Sequence, residues 1–265
     1  MSKLDGYVTL ISGAGRGIGR AIALRYARES ARVVVADIDE AAARSVADQI
    51  RALGATAEHV QADVGQPEQS AALIRRAAER FGRLDVLVNN AGVMRVGRLL
   101  DVTPQDWDFV NDVNARGLFF AVQAGARQML QQPALAPGRP RGKIVVTASI
   151  AGRSGRPMFA PYAASKAAAI SITQSFAQGL APDVTVNAIC PGVVDTEMWR
   201  QIDRDWSAIE GRAPGSAWQD RIRGIPMRRP ETPEDLTGIA VFLASADSDY
   251  VTGQSFNVDG GLVMS

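Results

Sequence analysis

Cysteine and histidine are nearly missing from this chain, which holds one of each, Cys190 and His59. A single thiol cannot close an internal disulfide, so a reducing, cytoplasmic compartment is expected. The same scarcity leaves no Cys/His cluster around His59, and no metal is expected. Long apolar runs are missing too. None approaches the roughly 20 residues that a bilayer span needs, and the opening MSKLDG lacks the pattern of a secretory signal. Charge of one sign is absent: 29 Lys and Arg against 28 Asp and Glu leave +1, with the signs interspersed. That balance argues against nucleic-acid and membrane partners. Lysine itself is scarce, with Lys3, Lys143 and Lys166 beside 26 arginines. No Gly/Ser linker or charge block divides the chain, and no 20–50-residue repeat runs through it.

What is present is ordinary for a globular protein: 265 residues, 46% hydrophobic and 22% charged. Short Val/Ile-rich runs alternate with longer Ala/Leu/Arg-rich segments. Strands are predicted near 7–12, 32–36, 56–61, 84–88, 143–148, 183–189 and 254–258. Helical patterns fall between them, near 17–29, 39–53, 67–81, 104–131, 161–180 and 233–244. Several strands are continuous apolar runs, as expected when both sheet faces are covered. Such alternation implies an α/β fold: one parallel, doubly wound, seven-stranded Rossmann sheet with helices on both faces, in a single domain over 1–265. Two segments break the rhythm. QQPALAPGRPRG (131–142) is predicted to be an exposed loop. Residues 191–230 form a long excursion in which Trp199, Trp206 and Trp218 point to an ordered lid rather than disorder.

The first strand runs into SGAGRGIG, with glycines at 13, 17 and 19. Such a turn lets backbone approach a ligand, and the helix beginning near Gly17 aims free N–H groups and its positive dipole end at a diphosphate. The spacing is GxxxGxG, not the commoner GxGxxG. Asp37 closes the second strand in VVVADID. An acid there accepts hydrogen bonds from ribose hydroxyls and repels a 2′-phosphate, which favours NAD over NADP. Arg16 inside the turn is the opposing signal, because a guanidinium can bind that phosphate. Asp37 could instead cap the next helix, for which Asp39 competes. Asp63, in QADV, sits where an adenine edge would lie, or else forms a simple turn.

Tyr162 and Lys166 lie four apart in PMFAPYAASKAAAISI, hence on one face of a helix. Chance supplies such a pair in about one chain in twenty of this composition. Free tyrosine has a pKa of about 10. A cation about 4 Å away contributes on the order of 4 kcal/mol at an effective dielectric of 20. That is roughly three pKa units, enough to bring the phenol near neutrality, where proton transfer works best.

Taken together, GAGRGIG (13–19), NNAG (89–92), Asn114 in NDVNARG, Ser149, YAASK (162–166) and PGVVDT (191–196) resemble the short-chain dehydrogenase/reductase family over essentially the whole chain. The resemblance implies that Tyr162 is the general acid/base, that Lys166 assists it and binds the nicotinamide ribose, and that Ser149 steadies the substrate oxygen. It implies that Asn114 holds a proton-relay water; asparagine is a poor helix-interior residue, which fits a special task. It also assigns cofactor contacts to Ile18, Val64, Asn90, Ala91, Gly92, Pro191 and Gly192, and carboxamide contacts to Val194 and Thr196. Ser12 stands where the family usually has threonine.

The family's substrates are diverse, and a fold cannot choose among them. The expected pocket walls are Ala151, Gly152 and Arg153 after Ser149, then Val93, Met94, Gly192 and a lid over 195–215 that includes Trp199. The lid and the segment after it look most like the family's polyol and vicinal-diol dehydrogenases, the sorbitol/galactitol and acetoin/butanediol groups. A small hydroxylated substrate is therefore expected. The alternatives are an acetoin or diol dehydrogenase, a 3-oxoacyl reductase, or a nucleotide-sensing protein without turnover. The resemblance further implies a homotetramer.

Overall fold

The computed structural model describes residues 2–134 and 136–264. The Val/Ile-rich runs form seven strands: β1 (Val8–Ser12), β2 (Arg32–Asp37), β3 (Ala57–Gln61), β4 (Val86–Asn89), β5 (Gly142–Thr147), β6 (Val184–Pro191) and β7 (Ser255–Val258). They pair in parallel in the order β3-β2-β1-β4-β5-β6-β7. Around them lie α1 (Gly17–Arg28), α2 (Glu40–Ala52), α3 (Pro67–Phe81), α4 (Pro104–Asn111), α5 (Leu118–Leu130), α6 (Ala160–Leu180), α7 (Glu197–Ile209), α8 (Ser216–Arg223) and α9 (Thr237–Ala244). The expected doubly wound, single-domain sheet is the one observed.

Successive side chains of a strand point to opposite faces, and here both sets are apolar. Val33 and Val35 enter one core with Ile11, Val88 and Val145, closed by α1, α2 and α9. Val34 and Ala36 enter the other with Leu10, Ile144 and Val146, closed by α3, α5 and α6. Continuous apolar strands are thus the direct result of covering both faces. The chain leaves β1 for β2 and β3 on one side, then returns to β4 on the other. That reversal opens a crevice beyond the C-terminal ends of β1 and β4, the place where such sheets bind ligands.

Two expectations are corrected. The helix predicted over 104–131 is interrupted by a wide π-turn, Asp112–Gly117, between α4 and α5. At its end the backbone presses on the segment after β3, and a Cβ on Gly117 would come within 2.2 Å of the Val64 carbonyl oxygen. Single π-turns of this kind cluster at functional sites, and this one carries Asn114. The excursion over 191–230 contains two helices, α7 and α8, that the sequence pattern does not announce. Asp203 of α7 joins them by accepting from the backbone N–H groups of Gly215 (2.6 Å) and Trp218 (2.9 Å).

The cradle helix α1 is anchored at its far end by Tyr26. This fully buried phenol donates to the Ala240 carbonyl of α9 at 2.8 Å, and burial pushes its pKa well above the ordinary value. Tyr26→Phe deletes one buried hydrogen bond and should cost about 1 kcal/mol, lowering the melting temperature by roughly 2–4 °C. Calorimetry checks this; an unchanged transition would leave the α1–α9 contact to apolar packing alone.

Candidate active site

The turn after β1 is shaped by contact with the strand beside it. Gly13 takes φ +60°, and a Cβ there would meet the Ala91 Cα at 2.7 Å. Ser12 is the brace: its hydroxyl accepts from the N–H groups of Asn90 (3.1 Å) and Ala91 (3.2 Å). The Asn90 amide in turn donates to the carbonyls of Ser12 and Gly13. Gly19 faces inward against the Gly13 carbonyl, so it packs the turn and does not line the cleft. The first turn of α1 carries no acidic residue and no side-chain cap. Its free amides and dipole end therefore fit a phosphate.

A cleft of about 300 Å³ opens above this turn. Gly13, Arg16, Gly17 and Ile18 form its floor; Asp37, Asp63 and Val64 lie along one side; Asn90, Ala91 and Gly92 form the back. Pro191, Gly192, Val194 and Thr196 line the opposite side with Trp199. Asp39, not Asp37, caps α2 by accepting from Ala42 N–H at 3.1 Å. Asp37 is freed for the cleft, where its buried carboxylate accepts from Gly15 N–H (2.9 Å) and Asp39 N–H (3.1 Å). Asp63 both faces the cleft and forms its own turn, accepting from Gly65 N–H at 2.9 Å. The donor set fits a dinucleotide.

At the inner end lie Tyr162, Lys166, Ser149 and Asn114. Lys166 is 4% exposed and, among the described residues, has no acidic partner. Its Nζ donates to the Thr147 carbonyl at 2.7 Å and lies 5.6 Å from the centroid of the Tyr162 ring. Asn114 clamps the loop after β4. Its Oδ1 accepts from Val93 N–H (2.9 Å), while its Nδ2 donates to the Val93 carbonyl (2.8 Å) and the Ser165 hydroxyl (3.1 Å). Ser149 Oγ accepts from Ala151 N–H at 3.1 Å and lines the same cleft as Tyr162.

The Tyr162 phenol, expected near neutrality, stands instead at about 12 in the protein alone. Burial is the main cause and Cys190 adds to it, against the opposing pull of the Ser149 hydroxyl. Burial also draws Lys166 down to about 8. The cation lies over the ring, its hydrogen bond goes to Thr147, and desolvation of the phenolate outweighs its attraction.

A second cavity, of about 210 Å³, adjoins the first and shares Ser149, Tyr162, Gly192, Met198 and Trp199 with it. Ala151 and Met94 line this cavity, and Val93 lines the cleft, all as expected. Gly152 and Arg153 do not. Gly152 is packed on the Lys166 backbone, where a Cβ would come within 2.6 Å. Arg153 turns away to β7 and donates to the Ser255 carbonyl. Trp206 is an anchor whose ring stacks edge-on against Phe159 at 5.8 Å, whereas Trp199 faces both cavities.

Other groups in or behind these walls carry no sequence motif. Leu262 and Val263 reach the second cavity because Asp259 accepts from the N–H groups of Gly261 and Val263, folding the tail inward. Glu231 is buried beneath Gly192 and accepts from its N–H at 2.9 Å, while its other oxygen has no partner among the described residues. Burial raises this carboxyl to about 8 against the Gly192 hydrogen bond, with Asp235 and Asp259 adding to the rise.

Comparison with known proteins agrees with this geometry. A family model described as enoyl-(acyl carrier protein) reductase matches residues 13–263. The chain is 43% identical to galactitol 2-dehydrogenase of Agrobacterium fabrum, over 99% of this chain and 100% of the relative. It is 40% identical to sorbitol dehydrogenase of Cereibacter sphaeroides, again over 99% and 100%. A crystal structure of a short-chain type dehydrogenase/reductase from Mycobacterium marinum superposes with a TM-score of 0.88 at 35% identity, covering 99% of this chain and 98% of that one.

The raised Glu231 carboxyl has a consequence for stability. It is harder to ionise folded than unfolded, so folding takes up a proton between about pH 4.5 and 8, and stability falls as pH rises across that window. Glu231→Gln keeps an acceptor for Gly192 and never ionises. It should match the wild type near pH 5 and exceed it above pH 8 by on the order of a few kcal/mol in denaturant unfolding. A variant no more stable than wild type at high pH would show that Glu231 carries no buried charge there.

Proposed function

The chain belongs to the short-chain dehydrogenase/reductase family and is an oxidoreductase of CH–OH groups; from that premise we propose that it oxidises a secondary hydroxyl of a polyhydroxylated substrate to a ketone with NAD. The observation that carries this reading is the meeting of the two cavities at Ser149 and Tyr162. A hydroxyl entering from the smaller cavity reaches the phenol, and the larger cleft has the cradle and the ribose-side acid of a dinucleotide site. When bound, the oxidised nicotinamide supplies a hydride acceptor and a positive charge beside the phenol.

The chain's own groups do the rest. Tyr162 takes the substrate hydroxyl proton, and Ser149 donates to the same oxygen as charge develops on it. Lys166 supplies a cation that lowers the cost of the phenolate and a donor for the nicotinamide ribose. Asn114 fixes the Val93 loop against α6. Both N–H donors of its amide are spent, so a relay water there has only a remaining lone pair of Oδ1 or the backbone carbonyl to bind.

NAD is favoured because the Asp37 carboxylate is buried at the cleft wall and held by two backbone donors, where a 2′-phosphate would meet its charge. Arg16 lines the same cleft but makes no side-chain cap. For assembly we favour a homotetramer: Phe109, Phe119 and Phe120 on α4 and α5 are exposed beside the small-residue surface of α6. The buried free thiol of Cys190 suits a reducing cytoplasm. Among the described residues no helix is long and apolar enough to cross a membrane.

Tyr162→Phe should lower kcat by roughly 10²- to 10⁴-fold, the usual worth of a general acid/base, while NAD affinity measured by titration changes little. Wild-type turnover of hexitols, pentitols and butanediols, followed by cofactor absorbance with NAD and with NADP, tests the substrate and the cofactor together. Turnover of oxoacyl thioesters alone would discard the polyol reading. Asp37→Asn should cut the NAD/NADP ratio of kcat/KM by roughly tenfold, one charge contact's worth; an unaltered ratio would assign the preference elsewhere. A monomeric mass by light scattering would remove the tetramer.

A further inference from the structure

Two guanidinium groups face the smaller cavity without an acid of their own. Arg156, from the turn before α6, and Arg221, from α8, both line it and are half-buried. One carboxylate, Asp220, shares that wall, but it is already engaged, 2.6 Å from Arg212 and 3.4 Å from Arg223. Among the described residues neither Arg156 nor Arg221 has an ion-pair partner. Arg221 lies over the Trp206 ring, 4.9 Å from its centroid. The ring face holds the guanidinium in place, and among the described residues its N–H groups make no hydrogen bond.

This arrangement works against the folded chain on its own. Burial disfavours the charge of Arg221, and Arg156 disfavours it further by repulsion. Guanidinium groups do not shed their protons in proteins, so the two positive charges persist. Much of the remaining wall is apolar, including Phe159, Ile202, Leu262 and Val263. Unmatched like charges around an apolar cavity, opening on the reacting phenol, are what a bound anion would reconcile. Paired arginines match the planar, two-oxygen geometry of such an anion.

We infer that Arg156 and Arg221 form an oxyanion-binding subsite, so that the substrate is a hydroxylated compound bearing a carboxylate or phosphate away from the carbon oxidised. The location of that carbon rests on the reading of Tyr162 given above; the anion subsite stands on the cavity itself. The preferred substrate class is then a sugar acid or a polyol phosphate, with neutral polyols bound more weakly through their hydroxyls.

The test is calorimetric titration of the NADH-loaded protein with gluconate, glucitol 6-phosphate and neutral glucitol, together with their oxidation by NAD. At least one anion should bind roughly tenfold or more tightly than glucitol, with affinity falling as salt rises. Arg156→Gln and Arg221→Gln should each reduce that preference by roughly 10- to 100-fold, and the corresponding lysine variants should restore only the part that charge alone supplies. Arg156 makes no packing contact like that of Arg221 with Trp206, so its variant keeps the test valid if Arg221→Gln loosens the lid. The two anions separate carboxylate from phosphate recognition. Equal affinity for glucitol and both anions, or a preference that survives both glutamine variants, overturns the inference. Anion binding without oxidation of any hydroxyl would instead overturn the polyol reading and leave the subsite in place.

Discussion

A buried ammonium without a carboxylate is the constraint on which the site depends. Removing a charge from water costs several kcal/mol unless polar groups replace the water. Lys166 has the Thr147 carbonyl and, across its helical turn, the face of the Tyr162 ring. A neighbouring acid would neutralise it more cheaply and would also cancel its influence on the phenol. The chain instead keeps the charge uncompensated. Its other lysines do not share that state, since Lys143 pairs with Asp249 and Lys3 with Asp247.

Much of the surrounding structure keeps that geometry rigid. The π-turn at Asp112–Gly117 brings Asn114 inward, and its amide ties the loop after β4 to Ser165 on α6. Ser165 in turn donates to the Tyr162 carbonyl at 2.7 Å, so the helix carrying the Tyr–Lys pair is fixed from the side. Gly92 completes the contact, with the Asn114 amide and Lys166 ammonium close to where a Cβ would stand. The reversal of strand order between β1 and β4 then places this cluster at the inner end of the dinucleotide cleft.

The lid supplies one wall of the second cavity. α7 and α8 are locked together by the Asp203 carboxylate and by the Trp199–Trp218 contact at 5.8 Å. Trp206 against Phe159 pins the pair to the body. These anchors bring Arg221 to the same cavity as Arg156, two residues 65 positions apart in the chain. The dinucleotide cleft is floored by the glycine turn after β1, whereas the substrate cavity is walled by side chains of α7, α8 and the C-terminal segment, which only tertiary packing brings together.

Apolar runs of Val33 to Val35 and Ile144 to Val146 were legible as strands because both faces of the sheet are covered, so the pattern and the architecture share one cause. The glycine turn, Asp37 and the Tyr162–Lys166 spacing were legible for a similar reason: each depends on local geometry, a tight corner, a strand end or one helical turn. Tertiary placement alone decided the rest. Burial set the protonation of Tyr162, Lys166 and Glu231, because desolvation is a property of everything packed around a group and no local spacing encodes it. Contacts distant in sequence turned Arg153 away from the pocket, folded Leu262 and Val263 into it, and set Arg156 beside Arg221, since side-chain direction follows from which elements meet in space.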